Sequence, residues 1–205
     1  MPKVVAVIPA RKGSKRLPDK NKRMFCGKPL ICWTLDVVLE CEFIDEIVVS
    51  TDDPDIIDIL NENYSRCNNL RRVMRPKELA QDDTPMWKVV SHALKDYTIK
   101  TEIIILLQPT SPLRTIFDIS MAYQIFRERV SCSVISVFRE DILHFKLNGA
   151  IYIFSLANLV LTKSIMNGEF TCVYIMPEER SIDIDTLEEF ERAERIMKRR
   201  IERNG

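Results

Sequence analysis

The chain is poor in the residues that build metal centres and disulfide frameworks. Its 205 residues include only two histidines, His92 and His144, and six cysteines, no two of which form a C-x-x-C pair. A structural zinc site needs closely spaced Cys and His ligands, so none is expected. The sequence predicts reduced thiols that mostly fill the core, and it predicts neither isolated histidine as a general base.

Excess charge and long apolar runs are also absent. Lys and Arg number 30 and Asp and Glu also 30, so the formal net charge is zero. This balance argues against a general nucleic-acid or membrane-surface binder. No apolar stretch reaches the roughly 20 residues that span a bilayer, and the N-terminal apolar run is too short for a signal peptide. We therefore expect a cytoplasmic protein that forms one domain, residues 1–205, with no nucleic-acid or membrane partner.

Apolar runs alternate with segments of helical period. Residues 4–9 are a β-branched run that ends in proline, which is typical of a strand buried on both faces. Further strands are predicted at 46–51, 71–75, 103–107, 132–137, 150–154 and 172–175, and helices at 30–41, 54–60, 85–96, 115–130 and 186–203. This alternation predicts an α/β fold with a mainly parallel sheet and helices on both faces. Ligands of such sheets bind beyond the carboxyl ends of the strands, so the loops there matter most.

The first of these loops, residues 10–23, is strongly basic and is called the basic loop below. It holds seven Lys or Arg against one Asp, in a chain without net charge. Gly13 and Ser14 permit a tight turn whose N–H groups can converge on an anion, and Arg11 and Lys15 can bind phosphate oxygens. A solvated surface loop is the alternative, but such charge density gains nothing there at the end of a buried strand. The loop therefore predicts a polyphosphate site, although neither a Walker A motif nor G-x-G-x-x-G is present.

Two other segments offer polar groups. Residues 108–114, the Gln108 loop, follow a predicted strand and contain two prolines, and they either present donors to a ligand or simply cap the next helix. Residues 181–186, the acidic segment, alternate polar and apolar, so Asp183 and Asp185 share a face if the segment is extended. Two such carboxylates suit Mg²⁺ together with substrate phosphates. Alternatively Asp185 or Thr186 caps the last helix, which is compatible with a metal at Asp183.

The order of these motifs resembles a known family. Ile8-Pro-Ala-Arg-Lys-Gly-Ser-Lys-Arg-Leu-Pro-Asp-Lys-Asn21 resembles the nucleotide-binding loop of the acylneuraminate cytidylyltransferases, which include the pseudaminic and legionaminic acid enzymes. Five further stretches match in order: 49–53, 75–80, 107–114, 148–153 and 181–186. The resemblance implies a Rossmann-like fold of the nucleotide-diphospho-sugar transferase type. It also implies a cytoplasmic, homodimeric enzyme of cell-surface polysaccharide biosynthesis.

The resemblance assigns roles to individual residues. It implies that CTP and a nonulosonic acid give CMP-sugar and pyrophosphate, with Mg²⁺ as cofactor. Residues implied in nucleotide binding are Arg11, Gly13, Ser14, Lys15, Lys20, Asn21, Arg75 and Gln108. Gln108 and Asn148 are implied in substrate binding, Asp183 and Asp185 in metal binding, and Arg11, Lys15, Asp183 and Asp185 in catalysis.

The chain also departs from the family pattern. Between Val137 and Asn148 the family usually carries a few dozen more residues, which help to form the dimer, so we expect a shortened or missing insert near 138–147. Three alternative functions stay open. They are a CTP-binding module of the same fold without turnover, an octulosonate-type cytidylyltransferase, and an interaction protein that uses the fold for partner binding. The intact basic loop and Asp pair argue against the first and the last of these.

Overall fold

Strand β1 is an interior strand of a seven-stranded sheet, as its buried apolar run predicts. The computed structural model describes residues 3–95, 101–129, 133–166 and 168–204. The strands are β1 (Lys3–Ala10), β2 (Met24–Phe25), β3 (Lys28–Pro29), β4 (Glu46–Thr51), β5 (Leu70–Met74), β6 (Thr101–Leu106), β7 (Ser133–Arg139), β8 (Phe145–Ser155) and β9 (Thr171–Ile175). The helices are α1 (Leu30–Leu39), α2 (Pro54–Asn63), α3 (Met86–Ala93), α4 (Ile116–Glu128), α5 (Leu156–Thr162) and α6 (Leu187–Asn204).

The large sheet has the order β5-β4-β1-β6-β8-β7-β9. Strand β1 pairs in parallel with β4 on one side and with β6 on the other, so the chain switches direction across the sheet at β1. Strand β8 runs antiparallel to both β6 and β7, whereas β9 is parallel to β7. A switch point between two parallel strands opens a crevice at their carboxyl ends, which places the basic loop where ligands bind.

Helices cover both faces of this sheet, which confirms the predicted α/β architecture. On one face Ile8 of β1 packs in a cluster with residues of α1, α2 and α4, and on the other face Val7 packs with residues of α3 and α5. This division follows from the alternation of side chains along a strand.

Helix α6 forms a third cluster that lies outside the two faces of the sheet. Its Phe190 and Met197 bury Leu17 of the basic loop together with Ile182 and Ile184 of the acidic segment. This cluster brings the two ends of the chain together, and with them the basic and acidic groups that the sequence singled out.

Several predicted boundaries differ from the structure. Helix α1 stops at Leu39, and α3 stops at Ala93 rather than at residue 96, which lies outside the described residues, as do Val130 and Cys132. Strand β8 is longer than predicted, because its first half pairs with β7 in a hairpin and mixes polar with apolar side chains. Helix α5 was not predicted, since its seven residues are too short for a periodic pattern, and Ser155 caps it through Asn158 N.

Candidate active site

A cleft of about 340 Å³ opens at the carboxyl ends of β1, β5 and β6. Four segments line it: the basic loop, residues 75–89, the Gln108 loop and the acidic segment. The predicted site residues that it contains are Arg11, Ser14, Lys20, Asn21, Arg75, Gln108, Asp183 and Asp185. Residues separated by up to 174 positions thus meet in one cavity. Their positions in loops at the carboxyl ends of strands predicted this proximity.

Hydrogen bonds to backbone groups of the basic loop hold it in place. Lys12 N donates to Asp52 Oδ1 at 2.9 Å, and Ser14 N closes a tight turn on Lys12 O at 3.0 Å. Asn21 Nδ2 donates to Arg11 O at 3.0 Å and ties the end of the loop to its start. A Cβ on Gly13 would meet nothing within 4 Å, so space inside the protein does not require a glycine there.

Three residues of the cleft carry buried polar atoms without a hydrogen-bond partner. These atoms are Asn21 Oδ1, Arg75 Nε and Nη2, and Asp183 Oδ1. Arg75 is 4% exposed, and its nearest anion is Asp52, whose Oδ1 lies 3.8 Å from Nη2. Burial lowers the pKa of Arg75, only partly offset by Asp52. Buried polar groups are normally paired, so these atoms are available to hydrogen-bond a polar ligand.

The two predicted carboxylates both line the cleft but differ in environment. Burial, aided by the negative charge of Asp185, raises the pKa of Asp183. Burial would also raise the pKa of Asp185, but Lys20 Nζ at 2.8 Å and Arg16 Nη2 at 2.5 Å outweigh it and lower that pKa. Asp183 is therefore the carboxylate with a free oxygen, and Asp185 holds two cations of the basic loop.

The helix cap next to Asp185 is formed by its neighbour. Glu189 N donates to Thr186 Oγ1 at 3.3 Å, and Glu189 Oε2 accepts from Thr186 N at 2.8 Å, which is a capping box. Of the alternatives that the sequence left open, the cap at Thr186 is the one formed. The Asp185 side chain is thus left to the ion pairs.

The donor set fits Mg²⁺ only together with ligand oxygens. Among the described residues no group of three or more His, Cys, Asp or Glu side chains could hold a metal ion. Asp183 and Asp185 remain, of which Asp183 offers a buried oxygen without a partner. Mg²⁺ is commonly bound by one or two carboxylates with substrate phosphates completing its octahedron, so two carboxylates suffice.

The Gln108 loop is anchored by a fully buried arginine. Arg114 Nη1 donates to Ala150 O at 2.6 Å and to Gln108 O at 3.3 Å, and Nη2 donates to Thr34 Oγ1 at 2.9 Å. Thr110 O accepts from Ile184 N at 2.8 Å, which joins this loop to the acidic segment. The loop therefore does more than cap α4, since it sets Gln108 beside Asp183.

Asn148 lies beneath the cleft rather than in it. Its Oδ1 accepts from Ser136 Oγ at 2.6 Å and from Ala150 N at 3.2 Å, and its Nδ2 donates to Ser181 Oγ at 2.9 Å. These bonds use the polar atoms of the side chain, so the expected direct contact with substrate gains no support. Asn148 instead fixes the start of the acidic segment to β8.

Two other predicted residues lie just outside the cleft. Lys15 and Gly13 line an adjacent cavity, and Lys15 is 84% exposed in its side chain. Lys15 Nζ lies 2.5 Å from Asp82 Oδ2, and Arg11 Nη1 also contacts the Asp82 carboxylate. Sequence reasoning missed Asp82, because only its tertiary contacts distinguish it from other surface acids. It also missed Leu79, Met86 and Val89, which provide the apolar part of the cleft wall.

The arrangement is suited to a ligand that carries a polyphosphate, hydrogen-bonding groups and an apolar surface. Arg11, Lys20 and Arg75 supply positive charge, Gln108 and Asn21 supply amide groups, and Leu79 supplies apolar surface.

None of the helices in the described part of the chain has the length and hydrophobicity that a membrane-spanning helix needs.

Comparisons with known proteins agree with this geometry. An N-acylneuraminate cytidylyltransferase of Escherichia coli is 32% identical over 97% of this chain, and a CMP-N,N'-diacetyllegionaminic acid synthase of Legionella pneumophila is 32% identical over 95%. The chain covers 96% of the Legionella protein but spans about half, 53%, of the E. coli protein. The E. coli alignment extends over 228 positions, more than the 205 residues of the chain, so that relative carries residues that this chain lacks.

A solved structure and a family model show the fold and the family. A CMP:2-keto-3-deoxy-manno-octonic acid synthetase complexed with CTP superimposes with a TM-score of 0.72, covering 97% of this chain and 99% of that one. At 19% identity that likeness shows the Rossmann-like α/β fold alone. The family model described as cytidylyltransferase matches residues 5–152, which include the basic loop, Arg75 and the Gln108 loop. The chain therefore belongs to the cytidylyltransferase family.

Proposed function

We propose that the protein transfers the cytidylyl group of CTP to a nonulosonic, sialic-type acid and releases pyrophosphate. The observation that carries this proposal is the set of unpaired buried atoms on Asn21, Arg75 and Asp183 around one basic cleft. The preference for cytosine and for this sugar class is supported by family membership and by the names of the two relatives. These relatives favour a sialic-type sugar over the octulosonate alternative, whose support is a likeness of fold.

The residues of the cleft would bind and orient the triphosphate for in-line transfer. The anomeric hydroxyl of the sugar loses its proton to solvent, and its oxygen forms a bond to the α-phosphorus. The bond from the α-phosphorus to the oxygen that bridges to the β-phosphate breaks, and pyrophosphate leaves. Arg11 and Lys15 would neutralise the charge of the phosphates, since catalysis of phosphoryl transfer is largely positioning and electrostatic stabilisation. Lys20 is pre-positioned, because its Nζ already donates to Ile184 O at 2.6 Å.

Asp183 and Asp185 are the residues that would hold Mg²⁺. When bound, the ion would add positive charge to the triphosphate oxygens. For this, Asp183 would use the oxygen that lacks a partner, whereas Asp185 would have to share an oxygen with Lys20 or Arg16. Gln108 lies next to Asp183 and would fix the nucleotide or the sugar by hydrogen bonds.

The homodimer and the cytoplasmic location stay predictions. Residues 140–144 form the short turn of the hairpin of β7 and β8, in which Glu140 N donates to His144 O at 3.0 Å. The sequence predicted a shortened or missing insert in this region. Ile142 and Leu143 at this tip are 87% and 80% exposed. Clustered apolar exposure of this kind is typical of interaction sites, which supports a dimer contact at the hairpin.

The test is pyrophosphate release from CTP with N-acetylneuraminic, legionaminic, pseudaminic and octulosonic acids. Thermal melts with CTP, ATP and GTP accompany it, because a ligand of the native state raises the melting temperature. We expect release with one nonulosonic acid and the largest thermal shift with CTP. Stabilisation by CTP without release for any sugar would indicate a binding module, and equal shifts for the three nucleotides would mean that only phosphates are recognised.

A matched pair of glutamine variants separates the cleft from the surface. Gln108→Ala should weaken turnover at least ten-fold, since it removes an amide from the cleft wall. Gln124→Ala, on the exposed face of α4 where Gln124 bonds Glu128, should leave turnover unchanged. Equal activity of the two variants would contradict the placement of the site.

A further inference from the structure

The carboxylate of Asp82 pairs with two of the cationic side chains that the proposed function assigns to the triphosphate. Asp82 contacts Arg11 through one oxygen, and its other oxygen lies 2.5 Å from Lys15 Nζ. Asp82 lines both the cleft and the adjacent cavity, so it stands between them. The contact joins the basic loop to residues 80–84, a stretch that follows β5 and precedes α3.

The other acids near the basic loop have structural duties that Asp82 lacks. Asp52 accepts from Lys12 N, and the buried Asp53 caps α2 by accepting from Asp55 N. In the described part of the chain the Asp82 carboxylate contacts Arg11 and Lys15 and no backbone donor. Asp82 is half exposed and can turn away from these cations into solvent, whereas Asp53 is 1% exposed and cannot.

A triphosphate and the Asp82 carboxylate cannot hold the same two cations side by side. Both are anions, and like charges within a few ångströms repel. Without any anion, however, Arg11 and Lys15 would repel each other in the free protein. The positive groups hold the pKa of Asp82 below its ordinary value, Lys15 contributing most and Arg11 next, so the carboxylate is charged near neutral pH.

We propose that Asp82 is an internal counter-anion that pairs with Arg11 and Lys15 in the free protein and is displaced by the triphosphate of the incoming nucleotide. This inference rests on the proposed function and adds to it a competition at the phosphate site. Nucleotide binding then has to break the two Asp82 contacts, which weakens the affinity for the triphosphate but keeps the basic loop ordered beforehand.

The proposal predicts opposite changes in affinity and stability. Asp82→Asn keeps the size of the side chain and removes the competing charge. A partly exposed ion pair changes an equilibrium constant by about two- to five-fold, so the loss of two independent pairs should lower the Kd for CTP by roughly four- to twenty-five-fold. The melting temperature of the free protein should fall slightly, because the cations lose their partner. A purely structural role of Asp82 would lower both the stability and the affinity.

The experiment is isothermal titration of CTP and of inorganic tripolyphosphate at fixed Mg²⁺ and ionic strength. The variants are Asp82→Asn and Asp83→Asn; the latter removes the same charge from the next residue, which makes no ion pair within the described residues. Tighter binding of both probes to Asp82→Asn, with Asp83→Asn within two-fold of the wild type, is the expected result. Wild-type binding that Asp82→Asn leaves unchanged or weakens would overturn this inference alone, and so would equal tightening in both variants. Failure of the wild type to bind CTP would overturn it together with the proposed function.

Discussion

A single methyl group added at Gly149 should lower turnover by displacing side chains of the cleft, in addition to lowering stability. The φ of Gly149 is +69°, and a Cβ built there would lie 3.0 Å from Asp183 Oδ2 and 3.1 Å from Gln108 Oε1. Asp183 and Gln108 can thus approach each other in the cleft because the residue between them has no side chain. Gly149→Ala is the smallest change that tests this.

Gly149→Ala should have two effects, a strain of the backbone and a displacement of neighbouring side chains. A left-handed backbone costs an L-residue about 1–2 kcal/mol. Contacts near 3.0 Å force the neighbouring side chains to shift by a few tenths of an ångström. One kcal/mol lowers the melting temperature of a chain this size by about 2–4 °C, so the backbone part predicts a decrease of roughly 2–8 °C. Because displacement of catalytic groups by 1 Å can cost about a hundred-fold in rate, the smaller shift predicts about a ten-fold loss of turnover.

Gly27→Ala is the matched control. Gly27 has a φ of +89° in the turn between β2 and β3, but a Cβ there would meet nothing within 4 Å. It should therefore show a similar decrease in melting temperature with unchanged turnover. Thermal melts and CTP-dependent pyrophosphate release are measured for both variants. Full turnover of Gly149→Ala, or the same loss in both variants, would refute the reasoning.

Three further predictions concern charged groups. Asp183→Asn should leave the melting temperature of the free protein unchanged or higher, because burial disfavours this carboxylate, and should reduce turnover steeply; full activity in a release assay would remove Asp183 from the site. Lys15→Ala should abolish turnover but keep the fold, since its side chain is 84% exposed, and circular dichroism with an activity assay checks both. Burial opposes ionisation of Asp118, but hydrogen bonds from Arg180 and Thr115 outweigh it and lower its pKa. Asp118 therefore stabilises the native state above about pH 4, and this contribution disappears as the pH falls through the lower folded pKa. Asp118→Asn should cost roughly 3–5 kcal/mol at pH 7 and flatten the acid side of the stability profile measured by urea unfolding; an unchanged profile would contradict this.

Local patterns in the sequence were enough to predict the interior strands and the concentration of positive charge in the basic loop. A buried parallel strand such as β1 is a continuous apolar run, and strand β4 was predicted at its observed bounds, residues 46–51. The density of Lys and Arg after β1 and the spacing of Asp183 and Asp185 are likewise contained in short stretches. Such features depend on neighbours along the chain, so they can be predicted without knowing the fold.

Other features depend on residues that are distant in sequence, and only the tertiary structure decided them. The antiparallel direction of β8 places Asn148 under the cleft, where hydrogen bonds to Ser136 and Ser181 use its polar atoms. The same hairpin sets Gly149 against Asp183. Asp82 reaches Arg11 across 71 positions of sequence, and Lys20 reaches Asp185 across 165. Composition and spacing show which charges exist. Which cation a carboxylate neutralises is decided by the tertiary structure, because Coulomb attraction depends on distance in space and not on separation along the chain.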